Sequence, residues 1–125
     1  PAYEKFLKAG LRNVCIHKGL FPPSVEKQFP HLLAYSDVRD VGKAAKDWPQ
    51  LNFIIYHGGY RFAGGGNVED AWAQFEKTGR IEWITDLSEI PAKYGVNNVY
   101  ADVGLVTAQR SADGCVAALN LGLDL

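Results

Sequence analysis

Methionine is absent from this 125-residue chain, and cysteine occurs only at Cys15 and Cys115. Two cysteines cannot build a disulfide scaffold, and no Cys-x-x-Cys spacing exists for a zinc clamp or thiol–disulfide exchange. Cys15 lies inside an apolar run and reads as a small, reduced core side chain. Neither sign of charge is in excess: 13 Lys+Arg face 14 Asp+Glu, a formal charge of -1 with a pI near 6.3. Without a basic surplus to neutralise phosphates, nucleic acid and anionic membrane surfaces are not expected partners. No apolar run approaches the roughly 18–20 residues of a membrane-spanning helix. The chain opens Pro-Ala-Tyr-Glu with no signal-peptide pattern; any targeting segment would lie upstream, so the compartment is left open with the cytoplasm only as the default expectation. Gly-x-Ser-x-Gly and His-Glu-x-x-His are missing, which removes the nucleophile-elbow hydrolase and the zinc-protease helix. Gly64-Gly-Gly66 is followed by no Gly-Lys-Ser/Thr, so it is not a phosphate loop.

What is present is core-forming material. The chain is 47% hydrophobic, with six Phe, six Tyr and three Trp, enough for one ordinary folded domain spanning residues 1–125. Tyr3, Phe6 and Leu7 share a helical face, and Gly10 suits a left-handed C-terminal cap. Three short apolar runs read as strands: Asn13–His17, Phe53–His57 and Asn98–Val103. Between them, residues 20–36 carry Pro22, Pro23 and Pro30 and are expected to be mostly irregular. Ser36 or Asp37 is expected to cap a helix bearing Val38, Val41, Ala45 and Trp48 on one stripe, stopped by Pro49. Asn67 is expected to cap a second helix with Val68, Trp72 and Phe75 on its buried side, closed by Gly79. A third stretch, Ile81–Tyr94, places Trp83, Leu87, Ile90 and Tyr94 on one face, with Pro91 arguing for a break. A last helix is expected around Val116–Leu121.

Strands buried on both faces and alternating with helices predict an α/β fold with a parallel sheet. The spacing is wide: His17 to His57 is 40 positions and His57 to Asp102 is 45. A unit of an eight-fold barrel takes about 31 residues, so both intervals hold insertions, on the C-terminal side of the strands.

The chemistry-bearing pattern is a repetition. Val14-Cys-Ile-His17 runs into Lys18-Gly19, and Phe53-Ile-Ile-Tyr-His57 runs into Gly58-Gly59. Each strand is read as ending in an imidazole, followed by glycine that lets the chain turn away. Adjacent parallel strands would bring both rings to one mouth, where a single divalent ion such as zinc can bind neutral imidazole. A lone strand-end histidine more often bonds a loop carbonyl; two in matching positions favour the shared ion. Asp102, near the end of the third run, is a candidate outer partner for a ligand, or a carboxylate held by backbone donors. Lys18 and Arg61 are candidates for an anionic group on a small-molecule substrate, with Tyr60 beside Arg61 lining the same pocket. His31, in the proline-rich stretch, has no matching context.

NVCIHKG (13–19), DWPQLNFIIYHGG (47–59) and DLSEIPAKYGVNNVYADVG (86–104) resemble the amidohydrolase-2 branch of the metal-dependent amidohydrolase superfamily. The resemblance runs from about Gly10 to Val106 and weakens after Ala108. It implies strands five to seven of an eight-stranded (β/α) barrel, that is, a partial TIM barrel. It also implies that His17 and His57 ligate one divalent metal, often zinc, which activates water for hydrolysis of an ester, lactone or amide. Other members of the branch decarboxylate aromatic or related acids. The family's first-strand His-x-His or Glu-x-His pair and its eighth-strand Asp have no counterpart, and Asp102 aligns with neither. A three-strand slice would expose two sheet edges open to self-association. With the missing methionine, this predicts a section of a longer polypeptide, inactive in isolation. The different expectation is a small α/β domain that binds a partner without catalysis.

Overall fold

A computed structural model describes residues 2–61 and 68–102, the side chains of 68–72 excepted. Three strands, β1 (Asn13–His17), β2 (Asn52–Tyr56) and β3 (Val99–Ala101), form one parallel sheet in the order β1-β2-β3. The architecture is therefore α/β with a three-stranded parallel sheet. Helices fill the connections: α1 (Ala2–Lys8) before β1, then α2 (Pro23–Gln28), α3 (Leu33–Ser36) and α4 (Val41–Asp47) between β1 and β2. Helices α5 (Val68–Thr78) and α6 (Ile84–Tyr94) lie between β2 and β3. None of the described helices is long and apolar enough to cross a membrane.

The register explains the core. Val14 pairs with Phe53 and Phe53 with Val99, while Ile16 pairs with Ile55. Side chains alternate along a strand, so these positions share one face. On it, Val14, Phe53 and Ile55 pack with Val38, Val41 and Ala45 from the α4 side and with Trp83, Leu87 and Ile90 from the α6 side. Helix α1 adds Tyr3, whose ring meets Phe53 edge-on at 5.5 Å. Helices α4 and α6 touch where Gly42 faces Tyr94; a Cβ there would lie 2.4 Å from the ring, so only hydrogen fits.

The opposite face is different. Cys15, Ile54 and Tyr100 are cross-strand partners on it, followed by Tyr56 beside His17. Cys15 is exposed, Tyr56 is 38% exposed and Tyr100 is 51% exposed. Among the described residues this corrects two expectations: the strands are buried on one face, and Cys15 is a surface thiol. An apolar run signals a strand, but its composition does not report whether helices cover one side or both.

Other boundaries also moved. Residues 20–36 are largely helical, through α2, α3 and a 3-10 turn at Pro30–Leu32. Helix α4 starts at Val41, because the Asp37 carboxylate bonds the Arg39 backbone N–H and the Arg39 guanidinium locally. Such short-range bonds compete with helix initiation. Pro91 does not break α6. The bond it forfeits costs about 3 kcal/mol in an isolated helix, but Leu87 and Ile90 before it and Tyr94 after it are seated on the core. Strand β3 stops at Ala101, short of the expected Val103. Asn67 and the helix expected around Val116–Leu121 lie outside the described residues.

Candidate functional site

The register that builds the core also sets the strand ends. His17, the last residue of β1, lies opposite Tyr56, the last residue of β2. His57 is therefore one position past the end of its strand, which corrects the expectation of two matching terminal residues. A straight continuation would send its side chain to the helix-covered face. Instead His57 adopts φ +59, and Gly58 and Gly59 follow at φ +55 and +72. This left-handed turn brings the two imidazoles together, with ring centroids 5.0 Å apart and planes inclined by 72°. Left-handed backbone is costly for a residue with a Cβ, and such residues gather at functional sites.

The environment of His57 suits a metal ligand. Its Nδ1 is buried with no hydrogen-bond partner among the described residues. Burial pushes its pKa below the ordinary histidine value and the neighbouring His17 pushes the same way, while Asp102 opposes them. The neutral ring that results keeps a lone pair for a cation. Two imidazoles sharing one ion through nitrogens at about 2.0–2.1 Å have their ring centres roughly 5 Å apart, a separation that edge-to-face ring packing also gives. Among the described residues, no group of three or more His, Cys, Asp or Glu is placed to hold a metal.

Asp102 follows β3 directly. Its N–H donates to Ile55 O, and its carbonyl accepts from Gly58 N–H at 2.9 Å, which ties the end of the third strand to the His57 turn. Tyr56 lies beside this site, its ring 6.2 Å from that of His57. Its hydroxyl pKa is raised above the ordinary tyrosine value, chiefly by the neighbouring Cys15 side chain.

The two cations suggested for substrate binding have protein partners. The Lys18 side chain is 4% exposed; its Nζ donates to Tyr35 O at 2.9 Å and pairs with Asp40 at 2.7 Å. A buried ammonium requires such partners. Arg61 bridges Glu26 and Glu82, donates to Phe21 O and stacks over the Trp83 ring at 5.0 Å. It lines a cleft of about 670 Å³ with Trp83, Arg39, Glu89 and Tyr94, and neither histidine lines that cleft. Lys18 and Arg61 thus pin the two insertions to the scaffold, and Tyr60 joins them through its backbone.

Tyr56 was not singled out from sequence, and Cys15 was read as a core side chain. Tyr56 and Cys15 come together because the true strand offset is 39 residues, while the repeated His-x-Gly and His-Gly pattern suggests 40. Gly19 holds the two loops in contact, a role only a long-range backbone approach reveals. Compared with protein-family models, curated proteins and solved structures, the chain finds no match.

Proposed function

We propose that this chain is a metal-binding segment of an amidohydrolase-type hydrolase, with His17 and His57 as ligands of one divalent ion, zinc by its fit to imidazole. The convergence of the two rings at 5.0 Å carries this reading, since adjacent strands deliver them to one rim. The fold supports a partial (β/α) barrel. Helices α1, α4 and α6 all pack on the Val14–Phe53–Ile55 face, and the Cys15–Ile54–Tyr100 face is uncovered among the described residues. A barrel of parallel strands has helices outside and side chains inside, and its chemistry lies at the C-terminal strand ends. His17, His57 and Asp102 sit at that end here.

When bound, the metal would supply Lewis-acid polarisation of a carbonyl and a lowered pKa for water. The chain's own part is to present two imidazoles from a rigid sheet edge. Its burial of His57 keeps that ring neutral, and the Asp102 carboxylate supplies negative charge beside it. This chemistry suits hydrolysis of an ester, lactone or amide, with non-oxidative decarboxylation the nearest competitor. Two imidazoles are fewer than the three protein ligands of a typical catalytic zinc site, so the remaining ligands come from elsewhere in the barrel. The absence of a three-ligand group among the described residues favours one other reading, a non-catalytic α/β binding domain.

Zinc titration by calorimetry separates the two. The metal reading expects saturable binding that is lost in His17→Ala, in His57→Ala and in the double variant. Wild-type binding no tighter than that of the double variant would defeat it. The isolated chain is expected to show no metal-dependent turnover of esters or lactones; robust activity from a monomer would overturn the partial-barrel assignment.

A further inference from the structure

The two imidazoles are bracketed on both sides. Behind them runs the β1–β2 ladder, ending at the His17–Tyr56 pair. Ahead of them the two outgoing loops meet again. Leu20 N–H donates to Tyr60 O and Phe21 N–H to Arg61 O, both at 2.8 Å, which forms a short seam outside the sheet. The seam begins at Gly19, two residues past His17. Its φ is +85, and a Cβ there would lie 2.4 Å from Tyr60 O, 2.6 Å from Gly59 C and 2.7 Å from Gly59 O. All three are backbone atoms two or three residues past His57. No side chain can swing aside to make room, so any larger residue must move one loop away from the other.

We propose that Gly19 is the positioning residue of the His17–His57 pair: its missing Cβ lets the loops close, and that closure sets the separation of the two rings. The surroundings make Gly19 the adjustable element. The His17 loop is anchored at Gly19 by its N–H to Ser36 O and just before it by Lys18 to Tyr35 O and Asp40. The His57 turn is anchored by Gly59, whose own Cβ would meet Val38 Cγ1 at 2.8 Å, and by Gly58 N–H to Asp102 O. The His17 loop is held by its own connection and the His57 turn by Val38 of that same connection and by Asp102 after β3, and the Gly19 contact closes the two against each other. The ion-binding part of this proposal rests on the metal reading; the ring-separation part does not.

The test compares Gly19→Ala with Gly10→Ala. Gly10 has nearly the same backbone strain, φ +79, but a Cβ there would meet nothing within 4 Å. Gly10→Ala therefore reproduces the conformational penalty without the clash. In the metal-free protein, a proton cross-relaxation contact between the two rings is expected in wild type and in Gly10→Ala, and is lost in Gly19→Ala. Zinc affinity is expected to fall about tenfold or more in Gly19→Ala alone, the size typical for losing support around a ligand. Retained ring contact with unchanged affinity in Gly19→Ala would overturn the proposal.

Should Gly19→Ala fail to fold, hydrogen exchange on the wild-type chain decides. If the seam supports the ion, the ion must tighten the seam, because coupling is reciprocal. Saturation with zinc is then expected to slow exchange at the Leu20 and Phe21 amides, and unchanged rates would refute the role. If wild type takes up no zinc, the metal reading fails, and the ring contact alone settles the position of Gly19.

Discussion

His57 stands one register position beyond Tyr56, the partner of His17, yet its ring lies 5.0 Å from the His17 ring. Strand geometry alone would separate the two, since successive side chains point to opposite faces. The left-handed turn at His57 reverses that outcome, at a cost. A β-carbon in the left-handed region is worth roughly 1–2 kcal/mol of strain, and a buried ring nitrogen without a partner among the described residues adds a further penalty. Neither feature adds to the stability of the metal-free fold.

Stability measurements on metal-free variants follow from this. His57→Gly removes the strain and the unpartnered nitrogen together, whereas His57→Ala removes only the nitrogen. By urea unfolding, His57→Gly is expected to be more stable than His57→Ala by about 1 kcal/mol, after allowing for the added freedom of glycine in the unfolded chain. A His57→Ala variant as stable as His57→Gly would show that the turn is unstrained.

Asn98 makes a second measurable case. Its buried side chain donates to Ala45 O at 3.1 Å, Trp48 O at 3.3 Å and Leu51 O at 2.8 Å, so two amide hydrogens serve three carbonyls. These are carbonyls at and beyond the end of α4, where intrahelical donors have run out. Asn98→Ala is expected to cost about 1–3 kcal/mol, the range for leaving buried polar groups unpaired. Asn98→Asp should cost more at neutral pH, because a carboxylate brings no donor and faces three oxygens. Chemical denaturation midpoints rank the three proteins; an aspartate variant matching wild type would sink the capping role.

The strands and most of the packing faces were legible because they depend on local pattern. Apolar runs marked Asn13–His17 and the Phe53 strand, and 3.6-residue spacing found Val41, Ala45, Leu87 and Ile90, all now in the core. What depended on distant partners was not legible. Arg61 binds carboxylates 35 and 21 residues away, and Lys18 reaches Asp40, so both resembled free loop cations. The repeated His–glycine ends suggested equal strand ends, and nothing local announces the one-residue offset that the His57 turn compensates. Asp37 resembled a helix cap, and it does bind nearby backbone, but at Arg39 and one turn too early.

Arg61 offers a test of its structural role. Its guanidinium spans Glu26 from α2 and Glu82 ahead of α6 while lying over Trp83. A lysine ammonium is a point charge and cannot hold two carboxylates in one plane or stack on the indole. Arg61→Lys is therefore expected to destabilise the fold by about 1 kcal/mol, a modest figure because both carboxylates are about one-third exposed. Zinc affinity is expected to fall less than in Gly19→Ala, since this side chain braces the Phe21 end of the seam while the cleft beside it contains neither histidine. Loss of zinc binding in a stably folded Arg61→Lys would mean that the cleft and the histidine pair form one site.

Cys15 provides the sharpest check on which sheet face is open. A core thiol is shielded from reagents in the native protein, whereas a thiol on an uncovered face reacts without unfolding. Cys15 is exposed, with Tyr56 near it and Ile54 across the ladder. In a Cys115→Ser background, so that one thiol remains, native protein is expected to react with a disulfide reagent nearly as fast as urea-unfolded protein. Tyr56→Phe removes the neighbouring hydroxyl and should leave the rate as high or higher. Protection of Cys15 until global unfolding would place a covering layer over the Cys15–Ile54–Tyr100 face, and the one-sided packing that supports a barrel segment would fall with it.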